Sequence, residues 1–149
     1  MTSIKFRVAA IAMVMAGASA FAQDVPQQLP AIRLSTGMHV LQVQVAQTPE
    51  QLATGLMFRK TMGTNEGMLF IFDDPRQQCF WMKNTLLPLS VAFIADDGSV
   101  VNIDDMKPQT LDSHCSTKPV RFVLEMNVGW FDKRGIKAGS KFLGDPFRH

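Results

Sequence analysis

The chain predicts a compact, β-rich α+β domain: a small barrel-like sheet with one main helix and a short helical turn near the C-terminus. Three observations carry this expectation. Short stretches of alternating apolar residues recur from residue 31 onward, as in half-buried strands. Turn-forming clusters such as Ser35-Thr36-Gly37, Asp73-Asp74-Pro75 and Asp96-Asp97-Gly98 separate them. One segment, opening at Thr48-Pro49, has the chemistry of a helix start.

The first 22 residues read as a secretory signal peptide. Lys5 and Arg7 precede an apolar run over residues 8–18, and Ala20-Phe21-Ala22 has the small-x-small form of a cleavage site. The run is short of the ~20 residues a membrane-spanning helix needs. Processing after Ala22 is expected to leave Gln23 first, with no stable membrane span and a periplasmic or secreted protein. Residues 23–30 hold two prolines and several glutamines and read as a flexible leader. A single domain is expected over 31–146.

Within it, Ile32-Arg33-Leu34 and a second arm with Leu41, Val43 and Val45 in alternation flank the first turn as a hairpin. Thr48 suits the N-cap, Pro49 the first helical position, and Gln51 the third position of a capping box. The helix should run through Leu52 and Leu56 and end near Met57 or Phe58. Gly67-Met68-Leu69-Phe70-Ile71-Phe72 is a short continuous apolar run, read as a buried strand. Residues 90–95 and 99–103 form strands about the Asp-Asp-Gly turn. Residues 104–119 read as a long loop. Phe122, Leu124 and Met126 alternate in one more strand, residues 127–133 form the helical turn, and residues 139–143 hold a last short strand.

Composition excludes some classes of function. The formal charge of +2 includes Lys5 and Arg7, so the processed chain is near neutral and carries no footprint for nucleic acid. No His-x-x-x-His or Cys-x-x-Cys spacing supports a zinc site, and no cofactor is indicated. Met57, Met62, Met68, Met82, Met106 and Met126 are scattered as core filler rather than grouped as copper ligands. Cys79 and Cys115 are an even pair behind an export signal, and are expected to form a disulfide; a metal pair with His114 or a reactive thiol are the alternatives.

The segment Cys79-Phe80-Trp81-Met82-Lys83-Asn84-Thr85, followed by Pro88, mixes bulky aromatics with a cation and an amide. That mixture suits the rim of a pocket. Trp81, Lys83, Asn84 and Thr85 are the candidate ligand-binding residues, with a structural corner as the competing reading. Arg59 and Glu125 are expected behind them. Glu125 interrupts an apolar strand, where it could pair with Arg59 or Lys83, or act as a general base. Asp104 and Asp105, being adjacent, should point to opposite faces of a strand. His114 reads as a solvated loop residue.

Gly55-Leu56-Met57-Phe58-Arg59, Gly67-Met68-Leu69-Phe70, Trp81-Met82-Lys83-Asn84-Thr85, Pro88-Leu89, and Leu124-Glu125 followed by Gly129 and Gly135-Ile136 resemble the DUF192 family, also called UPF0127. The resemblance spans about residues 32–142. It implies a β-rich, often exported domain of uncharacterised activity. Two family positions that are usually acidic hold Ser90 and Ser140 in this chain. The expected function is that of an exported single-domain protein that binds a small polar ligand, or serves an envelope protein, without catalysis of its own. A hydrolase-like enzyme using Glu125 and Lys83, and a structural or interaction module of the cell envelope, are the alternatives.

Overall fold

A computed structural model describes residues 24–147. The expected signal peptide, the expected cleavage point at Ala22 and Gln23 lie outside the described residues. None of the described helices is long and apolar enough to cross a membrane.

Strands β1 (Ala31–Thr36) and β2 (His39–Ala46) form the expected hairpin, with Leu34 opposite Leu41. Gly37 supplies the left-handed backbone (φ 54°) that so tight a turn requires. Helix α1 (Pro49–Thr54) starts on the full capping box: the Gln51 amide donates to Thr48 Oγ1 at 3.3 Å, and the Thr48 amide donates to Gln51 Oε1 at 3.1 Å. It ends at Gly55, earlier than the spacing predicted, because φ 49° and ψ −132° take the chain out of the helix. Strand β3 (Glu66–Arg76) then returns parallel to β2.

Strands β4 (Cys79–Phe80), β5 (Leu89–Ile94), β6 (Val100–Met106), β7 (His114–Cys115) and β8 (Val120–Asn127) complete the set. The main sheet has six strands in the order β1-β2-β3-β8-β5-β6, and β4 pairs with β7 in a separate two-stranded sheet. The predicted 104–119 loop is thus shorter than expected. β6 runs on to Met106, and Cys115 is drawn into a ladder with Cys79. These two cysteines form a disulfide with Cα atoms 4.1 Å apart, inside the ~7 Å limit for a bridge.

The sheet is not closed into a barrel, which corrects the barrel-like expectation. Closure needs β1 and β6 to share a ladder. Instead the C-terminal segment lies between these edges, joined by isolated bridges at Ser35–Leu143 and Ser99–Lys141. The last predicted strand therefore makes only those bridges. The helical turn is a 3₁₀ turn (Asp132–Arg134) closed by Gly135 in the left-handed region (φ 66°). Residues 24–30 have no regular structure yet are not free. The Gln27 side-chain amide donates to the carbonyls of Gln51 and Gly55, both at 2.9 Å, and Leu29 packs on the core.

Two cores follow from strand alternation. Leu69, Leu124, Met126, Phe122, Ala92 and Ile94 face one way, covered by Trp130, Phe131, Ile136, Phe142 and Phe147. Met68, Phe70, Val123, Val91 and Phe93 face the other way, covered by Leu56, Met82 and partly buried Leu52 and Phe80. β5 is buried on both faces, so it reads as a continuous apolar run rather than an alternating one.

Candidate functional site

On the second face Glu125 takes a place in the row that Val123 begins. Its strand neighbours in register are Met68 on β3 and Val91 on β5, both apolar and fully buried. Above this row lies a cavity of about 340 Å³. Its roof is residues 52–57 from the end of α1, and its sides are Phe70, Phe72, Phe80, Trp81 and Thr85, with Gln78 and Cys79.

Local sequence explains why the roof stands off. Gly55 lets the helix end abruptly, and a Cβ there would come within 3.2 Å of the Phe70 ring. The chain then turns through Phe58 (φ 64°), whose amide donates to the carbonyl of Asn84 (φ 53°) at 2.9 Å. Two left-handed residues thus tie the segment after α1 to the segment after β4. The disulfide and the β4–β7 ladder fix the opposite side. Phe80 is held edge-on against Phe70, with centroids 4.8 Å apart, and against Phe93 at 6.2 Å.

Glu125 is only 4% exposed and is the single titratable group in the cavity wall. Burial raises its carboxyl from the usual 4.5 to about 8. At neutral pH the cavity therefore contains an uncharged carboxylic acid, able both to donate and to accept a hydrogen bond. Thr85, also buried, donates its hydroxyl to the Lys83 carbonyl at 3.1 Å and retains acceptor capacity.

The candidate residues divide. Trp81 and Thr85 line the cavity, and Glu125, expected behind the site, lies in its wall. Lys83 and Asn84 are exposed and do not line it. Lys83 instead places its Nζ 5.4 Å from the Trp81 ring centroid, at the rim. Asn84 serves as a turn residue, since Asn tolerates the left-handed backbone that this corner demands. Arg59 is buried, but its guanidinium donates to the Gln27 carbonyl at 3.0 Å and to Gln44 Oε1 rather than to Glu125. Burial lowers its pKa, Glu66 opposes that shift, and its Nε has no partner. Neither expected ion pair of Glu125 forms, because both cations are committed elsewhere.

Asp104 and Asp105 do part to opposite faces. Asp104 Oδ2 meets His114 Nδ1 at 2.6 Å, so His114 is a paired strand residue rather than a solvated loop one. Asp105 accepts from the Ser90 hydroxyl on the other face. Residues 52–57, Phe70 and Phe72 escaped the sequence reading. The signal available was the surplus of aromatics in Phe70-Ile71-Phe72 and Phe80-Trp81, more than one small sheet needs to fill a face.

The model of the DUF192 family, described as "Uncharacterized ACR", matches residues 32–143. The chain belongs to this family. No curated protein matches it. A solved structure of a "putative transcription regulator" from Sinorhizobium meliloti 1021 is 37% identical, with a TM-score of 0.74; the match covers 83% of this chain and 99% of that one. A protein of unknown function from Novosphingobium aromaticivorans DSM 12444 is 36% identical, with a TM-score of 0.75; coverage is 78% of this chain and 86% of that one.

Proposed function

We propose that this member of the DUF192 family is an exported small-molecule-binding protein whose site is the cavity over Glu125, with Trp81 at its rim and Thr85 in its wall. The observation that carries the reading is a buried carboxyl with apolar strand neighbours and no other titratable group in a wall open to ligand. A buried polar group lacking partners costs stability. A ligand that completes its hydrogen bonds recovers that cost. The cavity lies within the ~300–1,000 Å³ range of small-molecule sites, and its mostly apolar wall with few polar groups is typical of them.

Export is supported by the signal-like N-terminus and by a disulfide, which suits an oxidising compartment. N-terminal sequencing of the exported protein should begin at Gln23; an intact Met1 would overturn processing. The near-neutral processed charge gives no reason to carry over the transcription-regulator description of the Sinorhizobium protein.

A second reading, hydrolase-like general acid–base chemistry, draws on the raised Glu125 carboxyl. It lacks the expected partner, since Lys83 does not line the cavity. Binding therefore leads. A fragment screen by two-dimensional NMR tests it: hits should shift the Trp81 indole N–H and the Thr85 amide together. Hits clustering elsewhere, or none at all, defeat the reading.

A further inference from the structure

We infer that the cavity over Glu125 takes a small organic ammonium carried on an apolar or aromatic stem, an inference that rests on the ligand-binding reading above. The first ground is the sign of the site. No Lys, Arg or His lines the cavity, so an anionic ligand would meet an acid inside and find a cation only at the exposed rim, where Lys83 lies by Trp81. The second is the wall. Phe70, Phe72, Phe80 and Trp81 offer aromatic surface, whose negative ring faces attract a cation and exclude its water.

The groups facing Glu125 do not compete for it. β3 presents Met68, β5 presents Val91, and the roof contributes Leu52 and Leu56. Arg59 is bonded to Gln27 and Gln44, and Lys83 is exposed at the rim, where solvent screens it. A neutral ligand would leave Glu125 a buried acid. An ammonium changes its state: the carboxyl O–H proton passes to solvent, and the carboxylate accepts a charge-assisted hydrogen bond from the ligand N–H. With a carboxyl titrating at about 8, roughly nine sites in ten are protonated at pH 7. Ammonium binding should then release nearly one proton, and affinity should rise up to about tenfold per pH unit below pH 8.

The test compares three probes of one shape: 2-phenylethylamine, 2-phenylethanol and 3-phenylpropionate. Calorimetry at pH 7 in two buffers of different ionisation enthalpy reads affinity and protons together. The amine should bind at least about tenfold more tightly than the alcohol, with release approaching one proton, and the acid should not bind. Glu125→Gln should remove the amine's advantage and its proton release. Equal binding of amine and alcohol without proton release overturns the ammonium inference and leaves the cavity reading standing. So does amine binding unchanged in Glu125→Gln. No binding by any probe, with Trp81 and Thr85 resonances unmoved, overturns both.

Discussion

Ser90 and Glu125 are buried polar side chains on adjacent central strands of one sheet, 1% and 4% exposed, and they face opposite sides. Ser90 is satisfied: its hydroxyl donates to Asp105 and accepts from the Gly129 amide at 2.8 Å. That second bond anchors the turn leading into Trp130 and Phe131, whose rings lie edge-on at 5.4 Å. On the Ser90 side the polar groups and aromatics are thus taken up by partners from their own chain, even though Ser90, Asp105 and Phe131 border an open depression. The Glu125 side has a short helix end, a disulfide-held pair of two-residue strands and a gap. The contrast separates two uses of a buried polar group. One with protein partners fixes the fold; one facing a cavity without a charged partner is available to a ligand, at a cost in stability.

Four variants can break or sharpen this contrast. The largest loss is expected from Phe131→Ala on the Ser90 side. Phe131 is 1% exposed and packs between Trp130 and Phe142, so truncation should cost about 3–5 kcal/mol in denaturant unfolding. A loss below about 1 kcal/mol would mean that this side is as loosely covered as the other.

The disulfide comes next. Cys79→Ser with Cys115→Ser releases a constraint across 36 residues and should cost ~4 kcal/mol in the chain-entropy model. It should also broaden the NMR signals of Phe80 and Trp81, while Trp130 on the Ser90 side stays sharp. Uniform broadening would refute independent coverage of the two faces.

Glu125→Gln should act in the opposite direction, and only above a certain pH. The native carboxyl holds its proton to about pH 8, whereas the unfolded one releases it near 4.5. The native state binds more protons between these values, so stability is full below about 4.5 and falls as pH rises through 8. The fall is on the order of 3–5 kcal/mol at ~1.36 kcal/mol per pH unit. The variant should flatten that slope and exceed the natural protein in stability at pH 8. A parallel pH profile for the two proteins would show that folding leaves the Glu125 carboxyl unshifted, against the buried-acid reading.

The smallest effect belongs to Ser90→Ala, which leaves the Gly129 amide and Asp105 without their shared partner. It should cost about 1–3 kcal/mol and leave any binding at the Glu125 cavity unchanged. Loss of binding would mean that the two faces are coupled through β5 and β8.

Much of this contrast is legible before folding. The capping box at Thr48, the Gly37 and Gly98 turns, the alternation of β2 and β8 and the pairing of two cysteines are all local or compositional signals. They depend on backbone chemistry within a few residues, or on compartment. Glu125 is conspicuous as an acid among apolar neighbours, and Trp81 as an aromatic beside polar residues. Their partners are less easily read. Lys83 and Asn84 lie within three residues of Trp81, but the backbone turns left-handed at Asn84 and both side chains go to solvent. Proximity in sequence is therefore no guide to which of them reaches the cavity.

By itself the sequence determined a β-rich domain with one capped helix, the turns at Gly37 and Gly98, the family and the two cysteines available for bridging, whereas Asp73-Asp74-Pro75, expected to end a strand, lies inside β3. These follow from residue-by-residue preferences and from periodicity. Only the tertiary structure decided that the sheet stays open, that Asp105 on β6 supplies the carboxylate beside Ser90, and that Glu125 faces a cavity instead of Arg59. Those outcomes depend on which segment occupies a given face. The C-terminal segment occupies the gap between β1 and β6, and Gln27 and Gln44 take up Arg59, leaving the carboxyl of Glu125 to its apolar walls.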